Sequence, residues 1–212
     1  MGNGNTVVRC AVFASGGGSN FQALIDRKSA GDLHVEFALL ISNNSKAYAC
    51  ERARQNGIPA VHLSEKQFGS FEAYSTRLME LLDEYKVDLI ILAGYMKKLP
   101  GEIINKYSMK ILNIHPALLP AFGGKGMYGK YVHQAVLDYG AKISGVTVHF
   151  VDEEYDQGPV ILQKTVPVLD NDDAETLAAR VLTLEHDSYW RAVEAVANGN
   201  IRIEGRRVAG EI

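Results

Sequence analysis

The sequence predicts a single α/β domain built on an open, mostly parallel sheet with helices on both faces. Three observations carry that expectation. Apolar strand-like runs alternate with helix-period segments almost throughout. One run, VDLIILAGY at 87–95, is apolar almost without interruption, as a parallel strand covered on both faces requires. The chain has 212 residues, 47% of them apolar and 22% charged, a composition and length suited to one core.

In chain order, VVRCAVFA (7–14) reads as the first strand and leads through SGGGSN into a helix carrying Phe21, Leu24 and Ile25. VEFALLIS (35–42) is the second strand, followed by the helix AYACERARQNG and a short third strand, PAVHLS. FEAYSTRLMELLDEYK repeats apolar residues at Phe71, Tyr74, Leu78, Leu81, Leu82 and Tyr85, a helical period. The fourth strand is VDLIILAGY. A short helix, PGEIINKYS, precedes the fifth strand in MKILNIHPALLP. Next come a glycine-rich segment, AFGGKGMYGK, the helix YVHQAVLDYG, and a hairpin-like pair, ISGVTVHFV and GPVILQKTVPVL. A long helix runs from about Ala174 to Ala197, and NIRIEGRRV closes the chain as an edge strand. Neither an internal repeat nor a dividing linker interrupts this order.

Composition narrows the function classes. The net charge is −3 without a basic block, so no nucleic-acid footprint is expected. No apolar run reaches transmembrane length and no secretory leader opens the chain. The opening MGNGNT fits the loose acylation pattern M-G-x-x-x-[ST], but with no polybasic patch beside it the match reads as a polar leader. Cys10 and Cys50 fall in an apolar strand and a helix, without CxxC spacing. Two buried thiols suit a reducing compartment, and a cytoplasmic location is expected. His34, His62, His133 and His186 share no ligand spacing, so no metal is expected.

In open sheets of this kind ligands gather at the C-terminal ends of strands, where three segments fall. SGGGSN (15–20) offers successive backbone N–H groups at a helix start, an arrangement suited to one phosphate. The plain alternative is a tight turn with a helix cap. Dinucleotide binding fits poorly, because the second strand ends in Ser42, Asn43 and Asn44 with no acid for a ribose. The second segment is ILNIHPALLP (111–120). Asn113 and His115 are two apart and share a strand face. An amide donor beside an imidazole can hold an oxygen that gains charge when a carbonyl is attacked, although a lone histidine is more often structural. The third is DEEYDQGP (152–159), with Asp152, Glu153, Glu154 and Asp156. As a plain element it is a solvated acidic turn. One of its carboxylates could fold back to orient and charge an imidazole, and the residues alone do not choose which. His149, in VTVHF, is expected to pack beneath the site rather than to react.

ASGGGSNFQALID, ISNN, LAGYMKKL, LNIHPALLP, GVTVHFVDEEYDQGPVILQ and the late LEH resemble the glycinamide ribonucleotide formyltransferase family of purine biosynthesis, in unbroken order from about Val7 to Val193. N-I-H-P and D-x-G-P mark the wider formyltetrahydrofolate-using group, and SGxGSN with the VHF strand narrows it. The resemblance implies a single formyltransferase domain over 1–212. Its Rossmann-like phosphate-binding half spans 7–110 and its catalytic and folate half spans 111–212. By resemblance Asn113, His115 and Asp156 match the catalytic trio. Gly18, Ser19 and Asn20 match the substrate phosphate loop, and Glu185 matches the acid that holds ribose hydroxyls. Met96, Lys97 and Leu99, with the backbone around Asp152, Glu153, Glu154 and Tyr155, match the folate pocket.

Two departures stand out. Lys97 replaces the family's usual arginine, and AFGGKGMYGKYVH is several residues longer than the usual connection. The longer connection reads as a plain surface insertion or a mobile flap, with Lys125 or Lys130 available to a phosphate or a folate tail. The implied reaction is formyl transfer from 10-formyltetrahydrofolate to the amine of glycinamide ribonucleotide, by a monomer or weak homodimer without nucleic-acid or membrane partners. A formyltetrahydrofolate deformylase and a phosphate-binding module without catalysis are the alternatives. Methionyl-tRNA formyltransferase is expected to fit less well, since it usually carries an extra C-terminal domain for tRNA and the net charge here is negative.

Overall fold

The computed structural model describes residues 7–212, so the N-terminal acylation match lies outside the described residues. Seven strands form one mostly parallel sheet in the order β3-β2-β1-β4-β5-β6-β7, flanked by helices, which is the expected class. The chain forms two compact units, one through Tyr107 and the other from Ser108.

In the first unit, β1 (Val8–Phe13) pairs in parallel with β2 (Val35–Ser42) on one side and β4 (Leu89–Leu92) on the other, and β3 (Ala60–His62) extends the order from β2. These strands are continuously apolar because both faces are covered: Val12, Phe13, Leu39, Leu40, Ile90 and Ile91 are fully buried. α1 (Ser19–Ala30) and α2 (Tyr48–Gln55) each turn an apolar face to the core, as does α3 (Phe71–Glu84), which is capped by the Ser70 hydroxyl. α4 (Gly101–Lys106) completes the unit. Cys10 and Cys50 are buried free thiols, and burial drives the Cys10 thiol far above its usual range.

In the second unit, β6 (Ile143–Phe150) runs antiparallel to both β5 (Ile111–His115) and β7 (Val160–Pro167). α5 (Lys130–Tyr139) and α6 (Ala174–Ala197) share a core of Val136, Val166, Leu177 and Val181. α6 has the expected bounds and a capping box between Asp173 and Thr176.

The closing segment corrects one expectation. NIRIEGRRV is no edge strand of the main sheet, because β8 (Ile201–Glu204) and β9 (Arg207–Gly210) pair only with each other. Gly205, at φ 61°, takes the left-handed conformation of the tight turn between them, so the chain folds back before a longer strand can form. From that turn Arg206 Nη2 donates to the Gln157 carbonyl at 2.5 Å.

Candidate active site

The glycine loop of the first unit is built at the C-terminal ends of its strands. The Ser15 hydroxyl donates to Asn43 Oδ1 at 2.5 Å and accepts from the Met96 N–H at 2.8 Å. Asn44 Nδ2 donates to the Ser15 carbonyl at 3.1 Å. One serine thereby ties the turn after β1 to the turns after β2 and β4. Gly16 and Gly17 are exposed, and Gly18 sits at φ 70° with its Cα beside Ala49, where an added Cβ would lie 2.8 Å from the Ala49 Cβ. Only glycine meets both demands. Gly18 caps α1 without a side-chain acceptor, Ser19 begins the helix and Asn20 is buried. Arg52 braces the loop through the Gly17 carbonyl at 2.8 Å. The arrangement presents a helix N-terminus with a following serine, which suits a single anion. Of the expected folate residues in this unit, Met96 and Lys97 are exposed and Leu99 is buried.

The second unit gathers its polar groups on one face of β5 and β6. In their antiparallel register Asn113 stands opposite His149, and His115 opposite Thr147. Directly opposed residues share a face, so four polar side chains lie together on otherwise apolar strands. Asn113 Nδ2 donates to His149 Nε2 at 3.2 Å, and His149 Nδ1 donates to the Phe150 carbonyl at 2.7 Å. The carbonyl can only accept, which fixes the neutral ring with its proton on Nδ1 and its lone pair toward Asn113. His149 therefore does more than pack beneath the site. It orients the amide.

Thr147 secures the turn after β5. Its hydroxyl donates to the Ala117 carbonyl at 2.7 Å and accepts from the Leu119 N–H at 3.0 Å, and Gln163 Nε2 approaches it at 2.9 Å.

Asp156 lies between the two imidazoles. Its Oδ2 is 3.6 Å from His115 Nδ1 and its Oδ1 is 3.6 Å from His149 Nε2. The neighbouring carboxylates Glu153 and Glu154 are exposed, as is Tyr155, while Asp152 is half-buried and accepts from the Glu154 N–H at 3.0 Å. The solvated turn and the folded-back acid are thus both present, and Asp156 is the one folded back. Gly158 makes this possible, since an added Cβ there would sit 1.8 Å from the Phe150 carbonyl oxygen. Asp156 itself adopts φ 57°, in the left-handed region. Glu185 is buried on α6, an acid on the helix face that otherwise packs the core.

The glycine-rich segment after β5 departs from a plain surface insertion. Lys125 and Lys130 are exposed, but the Phe122 carbonyl accepts from His115 Nε2 at 2.8 Å and the Gly124 N–H donates to Asp156 Oδ2 at 2.8 Å. Nothing in the side chains signalled these contacts, because both use main-chain atoms. The His149 contact did have a signal: Thr147 and His149 repeat the period-two spacing of Asn113 and His115.

Burial pulls the His115 pKa below its ordinary value. Asp156 and the Phe122 carbonyl push it back up, and the net direction is down. Burial would raise Asp156, but the His149 ring, the His115 charge and the Gly124 N–H outweigh it and hold this carboxyl below its usual value. At neutral pH the pair is accordingly a carboxylate beside a largely neutral ring that presents an unprotonated nitrogen to it. Such a pair is poised to take up a proton.

The profile described as Formyl transferase matches residues 8–193. The chain belongs to the formyl transferase family. It is 46% identical to a chloroplastic phosphoribosylglycinamide formyltransferase of Vigna unguiculata, over 91% of this chain and 62% of that protein. It is 45% identical to the Arabidopsis thaliana protein of the same description, over 92% of this chain and 67% of the other. These formyl transferases are therefore longer, and the chain spans roughly two thirds of their length. Among solved structures, glycinamide ribonucleotide transformylase 1 of Symbiobacterium toebii superposes with a TM-score of 0.92 at 41% identity, covering 99% of this chain and 96% of that one. Among the described residues, no helix is long and apolar enough to cross a membrane.

Proposed function

We propose that this formyl transferase moves the formyl group of 10-formyltetrahydrofolate to the amine of glycinamide ribonucleotide. The observation that carries the reading is the His115–Asp156 pair on the same strand face as an Asn113 amide already oriented by His149. The names borne by the similar proteins support the choice of substrates. The substrate amine attacks the formyl carbon, forming a C–N bond and a tetrahedral oxyanion. Asn113 donates to that oxygen. His115 becomes an imidazolium as the oxyanion develops, since a growing negative charge favours the charged ring. Asp156 holds the ring and passes the proton lost by the attacking amine to His115 Nδ1. Collapse breaks the bond to the folate nitrogen, which takes that proton back through Asp156 as it leaves, so His115 returns to its neutral form.

Gly18, Ser19 and Asn20 are assigned to the substrate phosphate and Glu185 to its ribose hydroxyls. Met96, Lys97, Leu99 and the main chain of 152–155 are assigned to the folate. In this reading 7–110 is the phosphate-binding half and 111–212 the catalytic half of one domain. The protein works in the cytoplasm as a monomer or weak homodimer, without a metal, a nucleic acid or a membrane.

Release of tetrahydrofolate, followed with and without glycinamide ribonucleotide, tests the reading. Amine-dependent release is expected; release with formate in the absence of the amine would make it a deformylase, and no release a binding module. Asn113→Ala is expected to lower kcat by ~10² while KM changes little, the usual cost of an oxyanion donor. His115→Ala with wild-type turnover would remove the trio from the mechanism.

A further inference from the structure

The geometry points to a further part of the catalytic machinery: the main chain of Phe122–Gly124 is a positioning element that fixes the His115 tautomer and the Asp156 oxygen facing it, so that the proton charging the ring enters at Nδ1. The inference rests on the catalytic reading of Asn113, His115 and Asp156.

The Phe122 carbonyl has no proton to give, so at 2.8 Å the hydrogen of that contact belongs to His115 Nε2. The neutral ring therefore carries its proton on Nε2 and presents a bare Nδ1 to Asp156 Oδ2, 3.6 Å away. That same oxygen is held on its other side by the Gly124 N–H at 2.8 Å. Two residues of one segment thus set both partners of the pair.

The segment is anchored for this task. The Phe122 ring packs edge-on against Tyr139, with centroids 5.7 Å apart, and joins the core of Val136, Leu177 and Val181. Its backbone lies at φ 54°, in the left-handed region. Gly123 is tightly fitted, since a Cβ there would lie 2.4 Å from Leu119 Cδ2 and 3.3 Å from the Asp156 Cβ, so an added methyl requires the Leu119 side chain and the segment to give way. Gly124, which donates its N–H to the carboxylate, lies at φ 94°, a conformation that favours glycine. An exposed insertion without a task requires none of these features together.

The ionisable groups around His115 are Asp156 from the acidic loop, His149 from β6 and His133 from α5. His149 donates from Nδ1 to the Phe150 carbonyl and turns its Nε2 toward Asp156 Oδ1. The carboxylate therefore faces one nitrogen of each ring. Nδ1 of His115 is the acceptor beside the reacting face.

Two measurements test the proposal. The first is nitrogen NMR of wild-type protein labelled in histidine. His115 is expected as the Nε2–H tautomer above its titration, with Nδ1 taking up the proton as pH falls; an Nδ1–H tautomer would overturn the proposal. The second is Gly123→Ala, with folding confirmed by circular dichroism and its melting curve. Displacing the segment from Asp156 is expected to lower kcat about tenfold, with KM for both substrates within about twofold of wild type. The alkaline limb of the kcat profile is expected to move to lower pH, because the imidazolium loses two of its supports. Wild-type kcat and pH profile in a folded Gly123→Ala would overturn the proposal while leaving the trio intact. Wild-type turnover in His115→Ala would instead overturn the trio itself. If Gly123→Ala fails to fold, the tautomer measurement on the unaltered protein still decides.

Discussion

Asn113 and His149 make one device from two strands. An isolated amide would rotate freely between donor and acceptor orientations. The His149 lone pair, fixed by the Phe150 carbonyl, selects the orientation with Nδ2 toward the ring. His149→Leu is therefore expected to lower kcat about tenfold with little change in KM, and to cost much less than that in an Asn113→Ala background. A steady-state double-mutant cycle measures this coupling, and additive losses would show that His149 acts by another route. At this scale the sequence is informative where side chains alternate. The period-two spacing of Asn113 and His115 is legible in ILNIH, and Thr147 with His149 repeats it in VTVHF. What cannot be read from either run is the register that sets Asn113 opposite His149, because it depends on how β5 and β6 meet.

The turn after β5 is held as an element by one hydroxyl. Thr147 satisfies the Ala117 carbonyl and the Leu119 N–H, both buried groups of the segment that leads away from His115. Thr147→Val keeps the shape but strands these groups, and is expected to cost roughly 2 kcal/mol or more in denaturant unfolding. A fall in kcat larger than any change in KM is expected with it, since the turn leads into Phe122. Unchanged unfolding would mean that the turn is held by Gln163 and its own packing alone. The elements themselves were largely legible: apolar runs gave the strands, and helical spacing gave α6 its bounds. The two misreadings have a common cause. The C-terminal hairpin and the 122–124 contacts are decided by backbone conformation at Gly205, Phe122 and Gly124, and periodicity of side chains carries little of that information.

For the molecule as a whole, the buried imidazoles set the acid limit of stability. His115 and His133 both lie below the ordinary value of 6.5 in the fold. The unfolded chain therefore binds protons first as pH falls, and the stability these rings leave intact above about pH 6.5 is lost progressively below it. Asp156 adds a second loss in the same direction at lower pH, beginning near its ordinary value of 3.8. The melting temperature is expected to fall between about pH 7.5 and about pH 5.5, and to fall less steeply in His115→Gln. Equal slopes in the two proteins, followed by calorimetry, would place His115 at its usual value in the fold. The fold class was legible at this scale because strand–helix alternation is a property of the whole chain, whereas the proton balance is not, since it arises from burial and from main-chain partners.

The φ of 57° at Asp156 bears on which amino acid this position can hold. Left-handed backbone favours glycine, asparagine and aspartate, and penalises glutamate and the branched residues. Proton transfer at the same place requires an acid. The two demands come from unrelated sources, one from the turn and one from the chemistry, and aspartate alone satisfies both. Asparagine keeps the turn and loses the acid, so Asp156→Asn separates the two demands, whereas Asp156→Glu, conservative by charge, disturbs the backbone that aims the carboxylate.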